Sequence, residues 1–309
     1  MPFTQADLAL STMWNYKKAS SGSELMDQLI SLGFHMVELN YHVKTEWIPE
    51  IQKYIDEGTM RVTSVHNVFP ETDDKRFDTD SVLLGYEDES LRTHAVELGK
   101  QSIDWACRLG AQAVVFHPTE VPLSSKEYDW PLKKMIATHA QDSQEFRRLR
   151  DRMVENRLTA PYISQMLKSI EELTNYVESN HLPVHLGMEN RAKCHQIPIF
   201  PEFDIIAERF DQSATGIWLD TGHAIMMMEM GLETLPLSDL TARNIVGMHI
   251  HDAVDGLDHY APCTLPGHVL EPFRPYILKT PIKVLELSGR LSAEEITLGT
   301  QNFLKEFGE

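Results

Sequence analysis

The chain has 309 residues, of which 42% are hydrophobic and 24% charged, an ordinary composition for a globular protein with one large barrel or two average domains. Its 46 acidic and 28 basic residues give a net charge of −18, which opposes binding to nucleic-acid phosphates. No stretch predicts a membrane span or a secretory signal. The three cysteines, Cys107, Cys194 and Cys263, are far apart, which argues against a disulfide framework or a cysteine zinc site; we therefore expect a reducing cytoplasm.

Short apolar runs rich in β-branched residues alternate along the chain with longer segments of helical periodicity. The candidate strands are 8–12, 36–40, 61–66, 113–117, 184–189, 216–220, 246–250 and 283–287. Helices are predicted within 22–33, 98–110 and 161–180 from apolar residues at helical spacing. Eight alternating strands predict an α/β fold that closes into a (β/α)8 TIM barrel, a single domain over 1–309. An open doubly wound sheet is the alternative, but no GxGxxG motif follows the first strand.

The connection between the fourth and fifth predicted strands is about twice as long as a usual βα connection. We expect a helical insertion after strand 4, at about 120–160, because Phe146, Leu149, Met153 and Val154 recur at helical spacing. Such segments often shape the substrate pocket of barrel enzymes. The insertion also carries a cluster of arginines, at positions 147, 148, 150, 152 and 157. A solvated helix face, a phosphate-binding lid and an oligomer contact are the interpretations of this cluster.

Six consecutive predicted strands end on histidine or on an acidic residue. These residues are His66, His117, Glu189, Asp220, His249 with His251, and Glu286. In a βα barrel these strand ends share one rim, where active sites form. Asp220 alone could equally cap a helix, and a lone histidine is usually structural. Their coincidence on one rim instead predicts a metal site. Imidazoles and carboxylates together suit Mn²⁺, Zn²⁺, Co²⁺ or Fe²⁺, whereas Mg²⁺ prefers mostly oxygen ligands.

Six segments along the chain carry a family resemblance. They are SVHN (64–67), VFHP (115–118), GMENR (187–191), LDTGHA (219–224), HIHDA (249–253) and VLELS (284–288). Their order resembles that of the xylose isomerase-like TIM barrels, the superfamily of sugar and sugar-phosphate isomerases and epimerases, related dehydratases, and the endonuclease IV enzymes (AP endonuclease family 2). The resemblance spans about residues 5–290.

The resemblance implies a metal held by Glu189, Asp220, His249 and Glu286, as in the sugar epimerases. His249 and His251 share a strand face, and the resemblance assigns the ligand role to His249. His66 and His117, together with Glu189, match a second metal site of the endonuclease IV enzymes. His223 matches a position that binds a third metal or contacts substrate, and His259 resembles a histidine of the loop for that metal. Leu257 replaces a metal-binding aspartate of that loop, which argues against a complete third zinc site.

Together with these residues, the resemblance implies a divalent-metal-dependent isomerase or epimerase of a small keto-sugar or sugar phosphate, acting in carbohydrate metabolism. Glu189 and Glu286 would move the proton through a metal-stabilised enediolate, and His223 would steady the developing oxyanion. Asn190 and Arg191 would orient Glu189 or bind a substrate oxygen. The alternatives are a sugar or polyol dehydratase on the same site, an endonuclease IV-like zinc phosphodiesterase, and a metal-binding barrel without turnover. Relatives are often dimers or tetramers, which implies a homo-oligomer.

Overall fold

The centre of the protein is a closed barrel of eight parallel strands, seen in a computed structural model that describes residues 3–122, 127–159, 161–267 and 269–308. The strands are β1 (Leu8–Ser11), β2 (Met36–Leu39), β3 (Arg61–His66), β4 (Ala113–Phe116), β5 (His185–Glu189), β6 (Thr215–Asp220), β7 (Ile245–Ile250) and β8 (Ile282–Leu285). Each strand pairs with its neighbours along the chain, and the barrel closes between β1 and β8. The predicted TIM barrel is confirmed, and every predicted strand is found with its ends shifted by at most two residues.

α-Helices connect the strands, as the helical periodicity predicts. They are α1 (Gly22–Ser31), α2 (Ile48–Asp56), α3 (Glu89–Arg108), α4 (Asp129–Ala137), α5 (Gln144–Thr159), α6 (Tyr162–Ser179), α7 (Phe200–Phe210), α8 (Thr221–Glu229), α9 (Asp239–Arg243), α10 (Arg274–Lys279) and α11 (Ala293–Phe303). Local signals explain where they begin: Ser21 accepts a hydrogen bond from the Glu24 amide at the start of α1, and Asp88 caps α3 in the same way. Within the described residues, no helix is long and apolar enough to cross a membrane.

The insertion after β4 contains two helices, α4 and α5, placed before α6. Residues 123–126 and 160 of the predicted insertion lie outside the described part of the chain. Phe146 and Met153 of α5 are buried, as their spacing predicts. The arginines of this region do not share one environment. Arg152 is exposed, whereas Arg157 is buried and pairs with both carboxylate oxygens of Glu202 at 2.8 Å.

A small apolar cluster fills the barrel, separate from the larger core between the strands and the helices. It contains Ala9, Met36, Ala113, Val115, Trp218, Ile282 and Val284. The indole of Trp218 is the largest of these side chains, and Gly247 on the adjacent strand makes room for it, since a Cβ at that position would lie 2.0 Å from the ring. Because alternate strand residues share a face, the positions two residues further along the strands also face the barrel interior, one layer higher.

Candidate metal centre

Four adjacent strands bring four polar side chains into this upper layer. Glu189 ends β5, Asp220 ends β6, His249 lies on β7, and Glu286 directly follows β8. Asp220 and His249 are register partners, and the His249 ring lies 5.2 Å from the Trp218 ring below it. All four side chains are buried, at the ends of neighbouring parallel strands. The regular fold therefore converges these groups at the carboxyl end of the barrel.

The four side chains lie close enough to share one cation. Nδ1 of His249 lies 3.1 Å from Oε1 of Glu189, 3.3 Å from Oε2 of Glu286 and 3.6 Å from Oδ2 of Asp220. One ligand atom from each residue falls within 4.8 Å of all the others. Three carboxylates and one imidazole form a donor set that suits Mn²⁺, Co²⁺ or Zn²⁺. The residues present thus fit the divalent cation that the sequence predicts.

Asp220 fulfils both roles between which the sequence cannot choose. Its Oδ1 accepts a hydrogen bond from the His223 amide at 2.7 Å and so caps α8. Its Oδ2 faces the other way, 3.6 Å from Nδ1 of His249 and 3.0 Å from Nε2 of His251. The two oxygens of one carboxylate serve the helix and the cluster separately, so capping does not prevent cation binding.

Glu38 on β2 is a buried carboxylate of this cluster that the sequence analysis did not select. Both of its carboxylate oxygens lie 3.0 Å from Nε2 of His249, and Ser64 donates a hydrogen bond to Oε2 at 2.8 Å. Glu38 therefore orients the His249 ring from the side opposite to Glu189. An acidic residue inside the apolar run 36–39 is the signal that identifies it, because an unpaired carboxylate is costly in a barrel core.

The cluster carries more carboxylate than its histidine can neutralise. Burial disfavours the charged form of His249, but the carboxylates of Glu286, Glu38 and Glu189 outweigh burial and raise its pKa well above the usual value. Burial raises the pKa of Glu286 to about 7, opposed by His249 and reinforced by Glu189 and Glu38. A divalent cation would relieve this excess of negative charge.

A second group adjoins the first and shares Glu189. Nε2 of His117 lies 2.8 Å and Nε2 of His66 lies 3.4 Å from Oε2 of Glu189. The Arg191 guanidinium contacts the His117 ring and lies 3.6 Å from the same carboxylate oxygen, while Asp80 bridges His117 and Arg191 at 2.9 and 2.8 Å. Burial and the Arg191 charge lower the pKa of His117 to about 4. A fixed positive charge at this position disfavours a second cation beside it.

A third group consists of His223, His251 and His259, with ligand atoms within 4.8 Å of one another. The His251 and His259 rings stack with centroids 4.2 Å apart, and Gly222 permits the approach of His251, since a Cβ there would lie 2.0 Å from its ring. Leu257 is half exposed and takes no part. His251 supplies the third ring of the group, a role that its position on a strand end does not reveal in the sequence.

Asn190 lies beside these groups but directs its amide to the backbone. Its Nδ2 donates to the carbonyl of Asp220 at 3.0 Å, and its Oδ1 accepts from the Asp220 amide at 2.8 Å. The carbonyl of Asn190 lies 2.9 Å from Nδ1 of His223. The Asn190 side chain therefore joins the ends of β5 and β6 and holds two members of the cluster in register.

An open cavity of about 320 Å³ lies at the same end of the barrel. It is lined by Met13, Trp14, Tyr16, Lys17, Lys18, Tyr41, His42, Ser288, Gly289 and Arg290, from segments that follow β1, β2 and β8. Tyr41 connects it to the buried cluster, because its ring lies 5.2 Å from that of His66. Aromatic faces and three cationic side chains thus border the approach to the histidines and carboxylates.

The solved structures most informative for this chain are sugar epimerases and a zinc-bound barrel. The 3-keto-D-glucoside 4-epimerase YcjR from E. coli is 12% identical with a TM-score of 0.63, and the match covers 97% of this chain and 99% of that one. D-psicose 3-epimerase from Clostridium cellulolyticum H10, solved with D-tagatose, is 11% identical with a TM-score of 0.64 and coverages of 98% and 99%. The IOLI protein with a bound zinc atom is 12% identical with a TM-score of 0.62 and coverages of 97% and 98%.

At these identities the structural likeness establishes the fold. No curated protein sequence matches the chain significantly. The sequence profile of one family, described as xylose isomerase-like TIM barrel, matches residues 26–273, which is most of the chain and includes the ends of β2 to β7. The barrel, the convergent strand ends and this match together show that the chain belongs to the xylose isomerase-like TIM barrel family.

Proposed function

We propose that this protein is a divalent-metal-dependent isomerase or epimerase of a small keto-sugar or sugar phosphate. The observation that carries the proposal is the cluster of Glu189, Asp220, His249 and Glu286, whose ligand atoms lie within 4.8 Å of one another. The similar structures support the substrate class, since they include epimerases that act on keto-sugars. In the bound state, the cation would polarise the sugar carbonyl, acidify the adjacent C–H and stabilise the negative charge that develops on the oxygens.

The protein's own part in this chemistry is proton transfer. Glu189 and Glu286 approach the same point from different strands, within 3.1 and 3.3 Å of Nδ1 of His249. One carboxylate removes the proton next to the carbonyl, and the other returns a proton to the opposite face for an epimer, or to the neighbouring carbon for an isomer. Without a cation, burial raises the pKa of Glu286 to about 7. A bound cation would lower this pKa and favour the carboxylate form that accepts the proton. His223, 3.2 Å from Glu189, would steady the developing oxyanion.

The lining of the cavity beside the cluster suits a sugar that carries an anionic group. Aromatic side chains such as the partly exposed Tyr16 can stack on a sugar ring, and Lys17, Lys18 and Arg290 surround the same space. Lys18 donates a hydrogen bond to the carbonyl of Leu291, and Arg290 donates one to the carbonyl of Asp258. Arg290 keeps further guanidinium N–H groups, which with Lys17 are donors for a phosphate or carboxylate. A dehydratase would use the same carboxylates, and its product would lack one hydroxyl.

The presence of two further ligand groups favours a second candidate, an endonuclease IV-like zinc phosphodiesterase. His66 and His117 share Glu189 with the main cluster, and His223, His251 and His259 form a third group beside it. Two features oppose it: Arg191 contacts His117 where a second cation would sit, and the net charge of −18 repels a nucleic-acid backbone.

A panel assay separates these functions. The chain loaded with Mn²⁺, Co²⁺ or Zn²⁺ is incubated with keto-sugars, each in neutral and phosphorylated form, and the products are resolved by NMR. We expect epimers or aldose–ketose isomers, with phosphorylated substrates preferred and the preference reduced in Arg290→Met. Loss of water would identify the dehydratase. Turnover of a phosphodiester together with no change in any sugar would overturn the proposal.

A further inference from the structure

A fourth group of potential ligands lies apart from the three groups at the strand ends. The strand-end cluster is the group of Glu189, Asp220, His249 and Glu286. Asp129 is the first residue of α4, in the insertion, and Cys194 and His195 belong to the segment between β5 and α7. One ligand atom from each of the three lies within 4.8 Å of the others, and all three residues are buried. Carboxylate, thiol and imidazole in one buried place are a donor set typical of a zinc-class cation.

The backbone around this group is held in place before any ligand arrives. Residues Thr119–Glu120 pair with Gln196–Ile197 in a short antiparallel ladder, and the Val121 amide donates to the His195 carbonyl at 2.8 Å. The Arg157 guanidinium donates to the Cys194 carbonyl at 2.9 Å. Cys194 and His195 are therefore fixed relative to the insertion, which is the condition for a preformed site.

Two side-chain atoms of the group have no hydrogen-bond partner despite their burial. They are Oδ1 of Asp129 and Nδ1 of His195. The second polar atom of each residue has a neighbour, because Oδ2 of Asp129 lies 3.3 Å from Nζ of Lys133 and Nε2 of His195 lies 3.6 Å from Oε2 of Glu120. Asp129 does not cap α4, although it begins it. A buried carboxylate oxygen and a buried ring nitrogen left without partners call for a ligand.

We propose that Asp129, Cys194 and His195 bind a divalent cation of the zinc class, independently of the strand-end cluster. The Cys194 thiolate and the Asp129 carboxylate balance the two positive charges of the cation. The Glu120 carboxylate beside His195 offsets the Lys133 charge beside Asp129, so the loaded site is neutral and compatible with burial. Binding releases the Cys194 thiol proton to solvent as the sulfur–metal bond forms. The carboxylate of Glu120 lies behind His195, as outer carboxylates lie behind metal-bound histidines. The cation joins α4 of the insertion to the segment that follows β5.

The charge states of the free protein agree with this assignment. Burial, with the nearby charge of Lys193, lowers the pKa of His195 to about 4, so its ring is neutral and able to bind at neutral pH. Burial and Asp129 raise the pKa of the Cys194 thiol to about 12, so without a cation the sulfur is protonated and a poor nucleophile. A thiol of this kind suits a structural ligand and argues against a catalytic one.

The Co²⁺-substituted full-length chain tests the proposal. A cobalt–thiolate bond gives an intense near-ultraviolet charge-transfer absorption, and the strand-end groups contain no cysteine. We expect this absorption in the wild type. In Cys194→Ser we expect the absorption to disappear and the number of bound cations to fall by one per chain. Cys107→Ser, which changes the half-buried cysteine of α3, is the matched control, and we expect it to keep the absorption and the number of bound cations.

A second variant, Asp129→Asn, tests the site even if the Cys194→Ser protein does not fold. Asp129→Asn keeps the side-chain size and the thiol, so we expect the absorption to persist but to need a higher Co²⁺ concentration for half-saturation. No thiolate absorption in the wild type, or an absorption unchanged in Cys194→Ser, would overturn the proposal. Neither result would contradict the proposed sugar chemistry, which is assigned to the residues at the strand ends.

Discussion

Nε2 of His249 lies 3.0 Å from both carboxylate oxygens of Glu38, so the ring that faces three carboxylates through Nδ1 is held from behind by a fourth. This contact fixes the ring orientation and makes Nδ1 of the imidazole a stronger electron-pair donor to a cation. We expect Glu38→Gln to weaken cation binding at the strand-end cluster by about 10- to 100-fold, while the fold is retained. Calorimetric titration with Mn²⁺ measures the dissociation constant of the cation in wild type and variant. The exposed Glu46→Gln is the control, and an unchanged affinity in Glu38→Gln would exclude a positioning role.

Glu286 is one of the two carboxylates proposed to move the proton, and burial raises its pKa to about 7 in the absence of a cation. We expect Glu286→Gln to lower kcat by about 10²- to 10⁴-fold, the usual contribution of a general acid or base. Circular dichroism should show an intact fold, and the bound cation should be measured so that a loss of metal is not taken for a loss of the base. Near-normal turnover in a metal-loaded Glu286→Gln enzyme would remove Glu286 from the mechanism.

His117 separates a one-metal enzyme from a multinuclear one. Because Arg191 already contacts its ring, we expect His117→Ala to leave the number of bound cations unchanged. Sugar turnover should fall by about 10- to 100-fold, as for an outer partner of the ligand Glu189. Elemental analysis and the sugar assay are performed on the same preparation. Loss of one cation per chain with collapse of activity would show instead that His117 holds a second metal.

Arg157 carries a buried charge that the insertion needs. It pairs with Glu202 and also donates to the Cys194 carbonyl. Arg157→Met therefore leaves the buried Glu202 carboxylate without its charged partner, although the Ile199 amide still donates to it. We expect the free energy of unfolding to fall by about 3–5 kcal/mol, measured by urea denaturation. Arg152→Met, at an exposed position of the same helix, should change it by no more than about 0.5 kcal/mol. Equal stabilities of the two variants would contradict this assignment.

Glu233 predicts a pH dependence of stability. Burial and the neighbouring Glu202 raise its pKa well above the usual value, and its Oε2 has no hydrogen-bond partner. The folded state thus favours the protonated carboxyl, so its contribution to stability is present below the unfolded pKa and is lost as pH rises through the folded pKa. We expect Glu233→Gln to be more stable than wild type by about 1 kcal/mol at pH 8, and this gain to vanish towards pH 4. A gain that is independent of pH would contradict the assignment.

The sequence predicts the fold well because one local signal repeats eight times. Each barrel strand is a short, mostly apolar run, and a shift of one or two residues at its end does not change which side chains reach the rim. The same regularity explains why Glu189, Asp220, His249 and Glu286 could be selected together: they lie on four neighbouring strands.

The remaining features depend on contacts between distant segments, which no local pattern records. Glu38 joins His249 across 211 positions of the chain. Arg157 looks like one of five solvent-facing arginines until Glu202 and the Cys194 loop are placed around it. Likewise, the wide spacing of the cysteines argues against a cysteine-rich zinc site, but it cannot reveal a mixed group to which Cys194 contributes one atom.

Solvent deuterium incorporation tests the central claim, proton transfer by two glutamates, most directly. The metal-loaded enzyme and its best keto-sugar are incubated in D₂O, and the product is analysed by NMR. Because each carboxylate exchanges its proton with solvent between turnovers, we expect one deuterium on the carbon that changes configuration or gains hydrogen. In Glu286→Gln, the rate of deuterium incorporation should fall by about 10²- to 10⁴-fold, as kcat does. Product that forms at the full rate without deuterium would contradict it, since the hydrogen would then have moved within the substrate and not through Glu189 and Glu286.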